Sequence, residues 1–527
     1  MRSNRPSSDA ERRYAFGFWL VLAGLTAVRL TVAAQVGLSA DEAHYLMYAR
    51  RLAWGYVDHP PAIAFLIRAT TFAGESPFFV RLGGILCSAL SFVLFRRLAL
   101  LFFGRARLAF WGLVLVHLMP YTHALSISAV PDAPLNMFWC GALLSFALAV
   151  RRGAWRWWFL TGLCFGGALL SKYHAALLPV CFLGYMGCSR AARVWLRRPQ
   201  PYVAAALGLL VFLPNVLWNA AHGWVSYAFQ LSHGGGSGQF DVWKVLNVLG
   251  GQLLAASPLV PILFACALIT VARGRPVREA HGYLLWCCLP VFAFFGIIGL
   301  VGKILPHWPF VGWWSGSLFL AHVCVTQTER AHRARTRWRG ACLAGSILGL
   351  AMSVFMYVAV AWPVLEPLHN GARRLSLRLH RVWPGLRPLP AFDPKYDLSN
   401  DLYGWDQAAA CVNRALADMP DQARTFVFCH RFYSTSQLNV FLWPGTQVTS
   451  LRKGMSQYRL WFDAQTHQGW DALFVDEGHV TRGVARYQAL FERIDPVPAP
   501  VRISRRGRPA CDLRIYRCYG FRGRYEN

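Results

Sequence analysis

Four polar residues of this chain stand close to an apolar segment, in a loop that spans residues 37–77. Asp41 and Glu42 directly follow the apolar run, and Asp58 and His59 come later in the same loop. A carboxylate that enters lipid is strongly unfavourable, so acids in this position point to a function. A carboxylate that reaches a hydroxyl group can act as a general base. Equally, Asp41 could cap a helix that starts near Glu42.

Charged residues also lie at the ends of later apolar segments. Asp132 begins one such segment, where the helix dipole favours an acid. Lys172, followed by Tyr173, ends another. Its ammonium group could reach the lipid headgroups by snorkelling, or it could bind a phosphate as a point charge. Asn219 and His222 lie in a Trp-rich stretch, and Trp alone is expected at any membrane interface.

The elements that position these residues are long apolar helices. Hydrophobic residues make up 55% of the 527 residues and charged residues only 15%, whereas a soluble domain carries about 25% charged residues. Since a bilayer core requires about 20 apolar residues per helix, we predict eleven transmembrane helices. They cover residues 14–36, 78–97, 108–126, 131–150, 157–171, 174–190, 201–219, 246–272, 281–301, 308–327 and 340–362.

The basic residues predict the orientation of these helices. The net charge of +29 comes from short Arg-rich clusters between apolar runs, as in cytoplasmic loops, and no nucleic-acid-binding motif is evident. A cytoplasmic N-terminus places most loop Lys and Arg residues in the cytoplasm and residues 363–527 in the periplasm of a bacterial inner-membrane protein. The cytoplasmic segments are then 1–13, 96–107, 151–156, 190–198, 273–278 and 330–339.

The segment after residue 362 differs in character, so we expect a membrane domain over residues 1–362 and a periplasmic domain over 363–527. Strand-like runs at Thr425–Cys429 and Ala472–Val475 alternate with helices that follow Trp405 and Phe432, which predicts a small α/β domain. Four of the 14 cysteines lie there, and one or two disulfides would be compatible with a periplasmic location. These are Cys411, Cys429, Cys511 and Cys518.

Five motifs occur in a fixed order along the chain. They are Asp41-Glu42, Asp58-His59-Pro60-Pro61, Pro131-Asp132-Ala133, Gly166–Lys172 and Trp218–Trp224. This ordered set resembles the bacterial branch of the protein O-mannosyltransferase superfamily, which is glycosyltransferase family 39, with the lipid A aminoarabinose transferases as relatives. The resemblance covers roughly residues 14–320 and implies a membrane glycosyltransferase of the GT-C fold.

The resemblance implies an inverting transfer of a sugar from a polyprenyl-phosphate donor to a periplasmic acceptor. The acceptor would be lipopolysaccharide, another glycan or a protein. Asp41 would be the general base. Glu42 and Asp132 would orient the acceptor or hold a divalent ion. Asp41 is a further candidate ligand for such an ion, together with Asp132.

The same resemblance implies that Lys172 and His59 neutralise the lipid phosphate. Lys303, His307 or the backbone N-terminus of a helix would complete this site. The remaining expected substrate-binding residues are Asp58, Tyr173, Asn219 and His222. The Gly-rich stretch at 234–238 predicts a mobile loop nearby.

Two other functions are compatible with a polytopic helical protein. A transporter or lipid flippase places ionisable residues near the membrane midplane and often contains paired repeats. Here the acids cluster at helix ends and no internal repeat is visible. The second alternative is a non-catalytic scaffold whose C-terminal domain binds a partner.

Overall fold

The computed structural model describes residues 8–234, 242–274, 278–302, 304–329, 332–477, 483–498 and 501–526. Most of the Gly-rich stretch at 234–238, and Lys303, lie outside these residues. The chain divides into two compact units. The first contains residues 1–34 and 52–354, and the second contains residues 35–51 and 355–527.

Among the described residues up to 361, the regular secondary structure is helical. In chain order they are α1 (Ser8–Gln35), α2 (Ala40–Arg50), α3 (Ala62–Thr70), α4 (Pro77–Phe103), α5 (Ala106–His117), α6 (Pro120–Ile127), α7 (Asp132–Arg152), α8 (Trp155–Ser171), α9 (Leu177–Cys188), α10 (Gln200–Ala221), α11 (Val225–Gly234), α12 (Val242–Ala255), α13 (Leu259–Arg273), α14 (Glu279–Trp286), α15 (Leu289–Val301), α16 (Gly312–Thr328) and α17 (His332–Ala361).

Six helices among the described residues are long and apolar enough to cross a membrane. They are α1, α4, α7, α10, the combined α14–α15 segment and α17. Two bent pairs, α5–α6 and α12–α13, turn by 86° and 99° and raise the number to as many as eight. Each of the eleven predicted apolar segments coincides with a helix or a pair of helices. The chain is therefore a multi-span helical membrane protein.

Small residues allow the helices that carry the candidate site to pack closely. A Cβ atom at Gly166 of α8 would lie only 2.7 Å from the backbone oxygen of Gly208 in α10. A Cβ at Gly162, one turn earlier, would lie 2.4 Å from the backbone oxygen of Ala204. Association of membrane helices depends on such close approach, because apolar side chains gain little by leaving lipid for protein. The glycines of α8 therefore position its C-terminal end against α10.

The second unit contains a mixed β-sheet. Its remaining helices are α18 (Leu365–Val382), α19 (Trp405–Ala417), α20 (Phe432–Phe441) and α21 (Gln457–Trp461). The sheet order is β2-β1-β3-β6-β4, with β5 also paired to β6. β1 is parallel to β2 and β3, whereas β6 is antiparallel to its neighbours. The strands are β1 (Thr425–Cys429), β2 (Val448–Thr449), β3 (Asp471–Asp476), β4 (Arg493–Pro496), β5 (Val501–Arg505) and β6 (Arg508–Tyr519).

Alternating residues of the strands form a separate core on each face of this sheet, as the two-residue side-chain period of a strand requires. Val427 and Cys429 of β1 pack with apolar residues of α19 and α20. Phe426 and Phe428 pack against aromatic residues on the opposite face, in the same core as Cys518. The predicted strands and helices of this region are confirmed. All fourteen cysteines are free thiols, and Cys429 and Cys518 belong to cores on opposite faces of the sheet.

Candidate functional site

The helix that carries the acidic pair starts at Ala40, and Ser39 is its N-cap. The Ser39 hydroxyl accepts a hydrogen bond from the backbone N–H of Glu42, and the Glu42 carboxylate accepts one from the backbone N–H of Ser39. This reciprocal arrangement is a capping box. The alternative prediction that Asp41 caps the helix is therefore wrong. Asp41 is the second helical residue and is exposed, whereas Glu42 is buried.

α2 is held by buried polar contacts on both sides of Asp41. The side-chain amide of Gln437 in α20 donates to the backbone oxygen of Leu38, at 2.7 Å. On the other side, the imidazole of His44 is hydrogen-bonded to the Tyr48 hydroxyl at 2.8 Å and to the Ser436 hydroxyl at 3.3 Å. Buried polar groups that are satisfied in this way specify one arrangement of the backbone. The acidic motif therefore has a defined position within the second unit.

Further ionisable groups of the second unit surround Asp41. Partial burial, then the negative charges of Glu477 and Asp41, raise the pKa of the Asp401 carboxyl to about 6. Burial, then the charges of Asp41 and Asp401, raise the pKa of the Tyr433 hydroxyl. Sequence reasoning missed Asp401, Glu477 and Tyr433, because each is more than 350 positions from Asp41 along the chain and belongs to no motif.

The first unit contains a buried ion pair between two of the predicted residues. The Lys172 ammonium lies 2.8 Å and 3.0 Å from the two carboxylate oxygens of Asp132. Lys172 is 4% exposed and Asp132 5%. α8 ends at Ser171, and the extended backbone of Lys172 separates it from the short 3₁₀ turn that follows. This break lets the lysine meet the N-terminal end of α7.

Two histidines, His174 and His307, lie within electrostatic range of this pair, and His59 lies within range of both of them. Burial, then the positive charge of Lys172, lowers the pKa of His307 to about 4. This imidazole is therefore neutral at pH 7, and a neutral imidazole can both donate and accept a hydrogen bond. The cluster thus combines the buried ammonium of Lys172 with the uncharged imidazole of His307, and both could bind the oxygens of an anion.

The loop that carries Asp58 and His59 is held through its backbone by the α10–α11 segment. Three alternate carbonyl groups accept hydrogen bonds from side chains of that segment. The amide of Asn215 donates to the oxygen of Trp54 at 2.8 Å. The Ser226 hydroxyl donates to Tyr56 and the Gln230 amide to Asp58, both at 2.6 Å. Sequence reasoning missed Ser226, although it satisfies a carbonyl of the loop just as Asn215 and Gln230 do.

Asn219 and His222 lie at the C-terminal end of α10. Asn219 is fully buried, and its side-chain oxygen accepts from the backbone N–H of Ser226 at 3.1 Å. It thereby orders the turn into α11. The imidazole of His222 stacks on Trp218 with the ring centroids 4.0 Å apart. Tyr173 places its ring 5.5 Å from that of Tyr227 in α11.

The predicted residues are divided between the two units. Asp41 and Glu42 belong to the second unit, whereas Asp58, Asp132 and Lys172 belong to the first, together with the other expected binding residues. Over the part of the chain that the structure describes, no group of three or more His, Cys, Asp or Glu side chains is arranged to hold a metal ion.

The comparisons with known proteins agree with this architecture. Residues 58–218 match the family model described as dolichyl-phosphate-mannose-protein mannosyltransferase. The chain is 26% identical over 346 residues to the lipid A galacturonosyltransferase RgtD of Rhizobium johnstonii, covering 65% of this chain and 70% of the relative.

The fold resembles that of ArnT from Cupriavidus metallidurans. The apo structure of ArnT matches with a TM-score of 0.59 and 15% identity, covering 95% of this chain and 98% of the other. The structure of ArnT bound to undecaprenyl phosphate matches with a TM-score of 0.58 and 14% identity over the same shares of both chains. The family model, the relative and the fold confirm the resemblance drawn from the sequence, and the chain is a GT-C-type membrane glycosyltransferase similar to family 39.

Proposed function

We propose that this protein transfers a sugar, with inversion, from a polyprenyl-phosphate donor to an acceptor in the periplasm. The acceptor is lipopolysaccharide or its lipid A part, another glycan, or a protein. The similarity to a lipid A galacturonosyltransferase supports the acceptor class, and the match to a model described as dolichyl-phosphate-mannose-protein mannosyltransferase supports the donor class. The likeness to ArnT, which one structure shows with undecaprenyl phosphate, supports a GT-C fold for this chemistry. The observation that carries the proposal is the buried Lys172–Asp132 pair with His174 and His307 beside it.

In this proposal, Lys172 binds the donor phosphate together with His59. A phosphate leaving group needs its negative charge stabilised more than it needs a strong acid, and a buried cation supplies this stabilisation effectively. Asp132 keeps the ammonium oriented when no donor is bound. The neutral ring of His307 adds a hydrogen bond, and Asp58 and Tyr173 contact the sugar. Asn219 and His222 complete the binding face at the end of α10.

Asp41 acts as the general base that accepts the proton of the attacking hydroxyl. A single displacement with inversion requires only one base on the acceptor side. Glu42 orients the start of α2 and thereby the acceptor.

The topology that we propose has eleven transmembrane helices in a bacterial inner membrane. The N-terminus is cytoplasmic, and residues 363–527 form the periplasmic domain that follows the membrane domain at 1–362. The excess of Lys and Arg in the segments assigned to the cytoplasm supports this orientation.

The test compares transfer by wild type, Asp41→Asn and Asp406→Asn, using purified protein and a radiolabelled polyprenyl-phosphate sugar. Asp406 is a matched control, because it is also an exposed second residue of a helix. We expect Asp41→Asn to reduce transfer by about 10²-fold or more, with Asp406→Asn close to wild type. Equal transfer by the two variants would exclude Asp41 as the base. Lack of transfer by wild type with any donor would refute the proposed function.

A further inference from the structure

The second unit contains a polar cavity that the proposed reaction leaves unassigned. Its volume is about 540 Å³, and it lies among the C-terminal end of α2, the segment between α20 and β2, and α21. The cationic, aromatic and amide side chains of its lining include Arg50, Arg51, Trp443, Gln447, Trp461 and His467. Two further aromatic residues line the same space, and the described lining contains no acid.

The cations of this cavity are Arg50, the last residue of α2, and Arg51, its C-cap. The guanidinium of Arg51 lies 4.7 Å from the ring centroid of Trp461. Arg50 donates to the backbone oxygen of Asn439 at 3.0 Å. Both arginines are exposed. The two guanidinium groups are the cationic part of the lining, and their geometry suits phosphate or carboxylate.

The other side of the cavity is aromatic and can form hydrogen bonds. Trp443 is 48% exposed, which is a large apolar area for a side chain in a polar cavity. The side-chain oxygen of Gln447 is hydrogen-bonded to the imidazole of His467 at 2.6 Å. The NH₂ group of the same amide can then donate to a ligand. Binding sites commonly combine an aromatic surface with a few placed polar groups. A sugar ring has both an apolar face and hydroxyl groups, so it fits this combination.

We propose that this cavity binds a phosphate-bearing saccharide that belongs to the glycan acceptor. The inference rests on the proposed function, because α2 also carries Asp41 at its opposite end. Arg50 lies nine positions after Asp41, which corresponds to about 14 Å along a helix. An acceptor held at the arginines must therefore extend beyond one sugar residue to reach the base. A phosphorylated disaccharide or a longer glycan meets this requirement.

The binding test uses the full chain in detergent micelles and a bisphosphorylated glucosamine disaccharide, with saturation-transfer difference NMR as the readout. The same disaccharide without phosphates and inorganic phosphate alone are the comparison probes. The variants are Arg51→Gln and Trp443→Ala. Their matched controls are Arg502→Gln, an exposed arginine of β5, and Trp383→Ala, an exposed tryptophan that follows α18.

We expect Arg51→Gln to weaken binding of the bisphosphorylated disaccharide by about tenfold or more, as loss of a charge-assisted hydrogen bond implies. Trp443→Ala is also expected to weaken it, whereas both controls bind as wild type. Wild-type affinity in Arg51→Gln and Trp443→Ala would overturn the proposal. Equal binding of the dephosphorylated disaccharide would overturn the phosphate recognition, and equal binding of inorganic phosphate would overturn the saccharide recognition.

A transfer assay separates this inference from the proposed function. If the cavity serves the acceptor, Arg51→Gln raises the KM for the phosphorylated acceptor and leaves kcat unchanged, and Asp41→Asn retains disaccharide binding. Transfer by wild type without disaccharide binding would refute the cavity and leave the transferase intact. Disaccharide binding by a wild type that transfers no sugar would refute the transferase.

Discussion

The buried Lys172–Asp132 pair allows a quantitative prediction about stability. Lys172→Met keeps the length of the side chain and removes its charge, so the Asp132 carboxylate loses a partner that lies within 3.0 Å of both its oxygens. Breaking a buried ion pair by removing one partner costs about 3–5 kcal/mol. Protonating an ordinary aspartic acid at pH 7 costs about 4 kcal/mol. The expected loss in the free energy of unfolding is therefore about 3–4 kcal/mol at pH 7.

The measurement is equilibrium unfolding in mixed micelles with increasing SDS, for Lys172→Met, Asp132→Asn and the double variant. Lys244→Met is the matched control, because the ammonium of Lys244 donates to a backbone carbonyl, that of Val301, at 3.0 Å. We expect the double variant to recover most of the stability lost by Lys172→Met, since it contains no buried uncompensated charge. The loss in Lys172→Met should also shrink by about 1.4 kcal/mol per pH unit below pH 7.

Transfer activity separates the structural role of the pair from its role in donor binding. If Lys172 binds the donor phosphate, the double variant stays folded but transfers little sugar, and Lys172→Arg keeps part of the activity. The reasoning is refuted if Lys172→Met unfolds at the same SDS fraction as Lys244→Met. It is also refuted if the double variant is as unstable as Lys172→Met, because the loss then has another cause.

Three further predictions concern residues outside this pair. Burial and the negative charge of Glu477 disfavour the ionised form of Asp401 in the folded state, and this raises the pKa of its carboxyl group. Stability is therefore expected to fall as pH rises from about 4 to about 6, and Asp401→Asn should abolish this slope in thermal unfolding. Ser39→Ala removes half of a capping box and should cost about 1 kcal/mol, with transfer reduced because α2 loses its defined start. Gly166→Ala should lower the unfolding temperature, because overpacking costs about 1–3 kcal/mol. Gly187→Ala should not, because a Cβ at Gly187 meets no atom within 4 Å. Equal unfolding temperatures for the two glycine variants would contradict the packing argument.

Local patterns were sufficient to predict most of the elements. The run at Thr425–Cys429 forms a strand with the predicted bounds, and the two predicted helices are present but start slightly earlier than predicted, at Trp405 and Phe432. Hydrophobic periodicity and turn residues act over a few positions, so they can be identified in one sequence. The predicted start of α2, near Glu42, was two residues too late, because Ser39 rather than Asp41 is the N-cap of the helix. Both residue types cap helices well, and only the backbone geometry selects between them.

The sequence by itself determined that this is a helical membrane protein with a C-terminal α/β region, and which polar residues stand at the helix ends. Those properties follow from composition and from interactions between near neighbours in the chain. Only the tertiary structure decided that Lys172 pairs with Asp132, forty positions away, and that Gln437 holds the residue before the cap of α2 from 399 positions away. Such contacts depend on which helix faces pack together. An ion pair, or a hydrogen bond of a buried side-chain amide, forms only where the whole fold brings its two partners within about 3 Å.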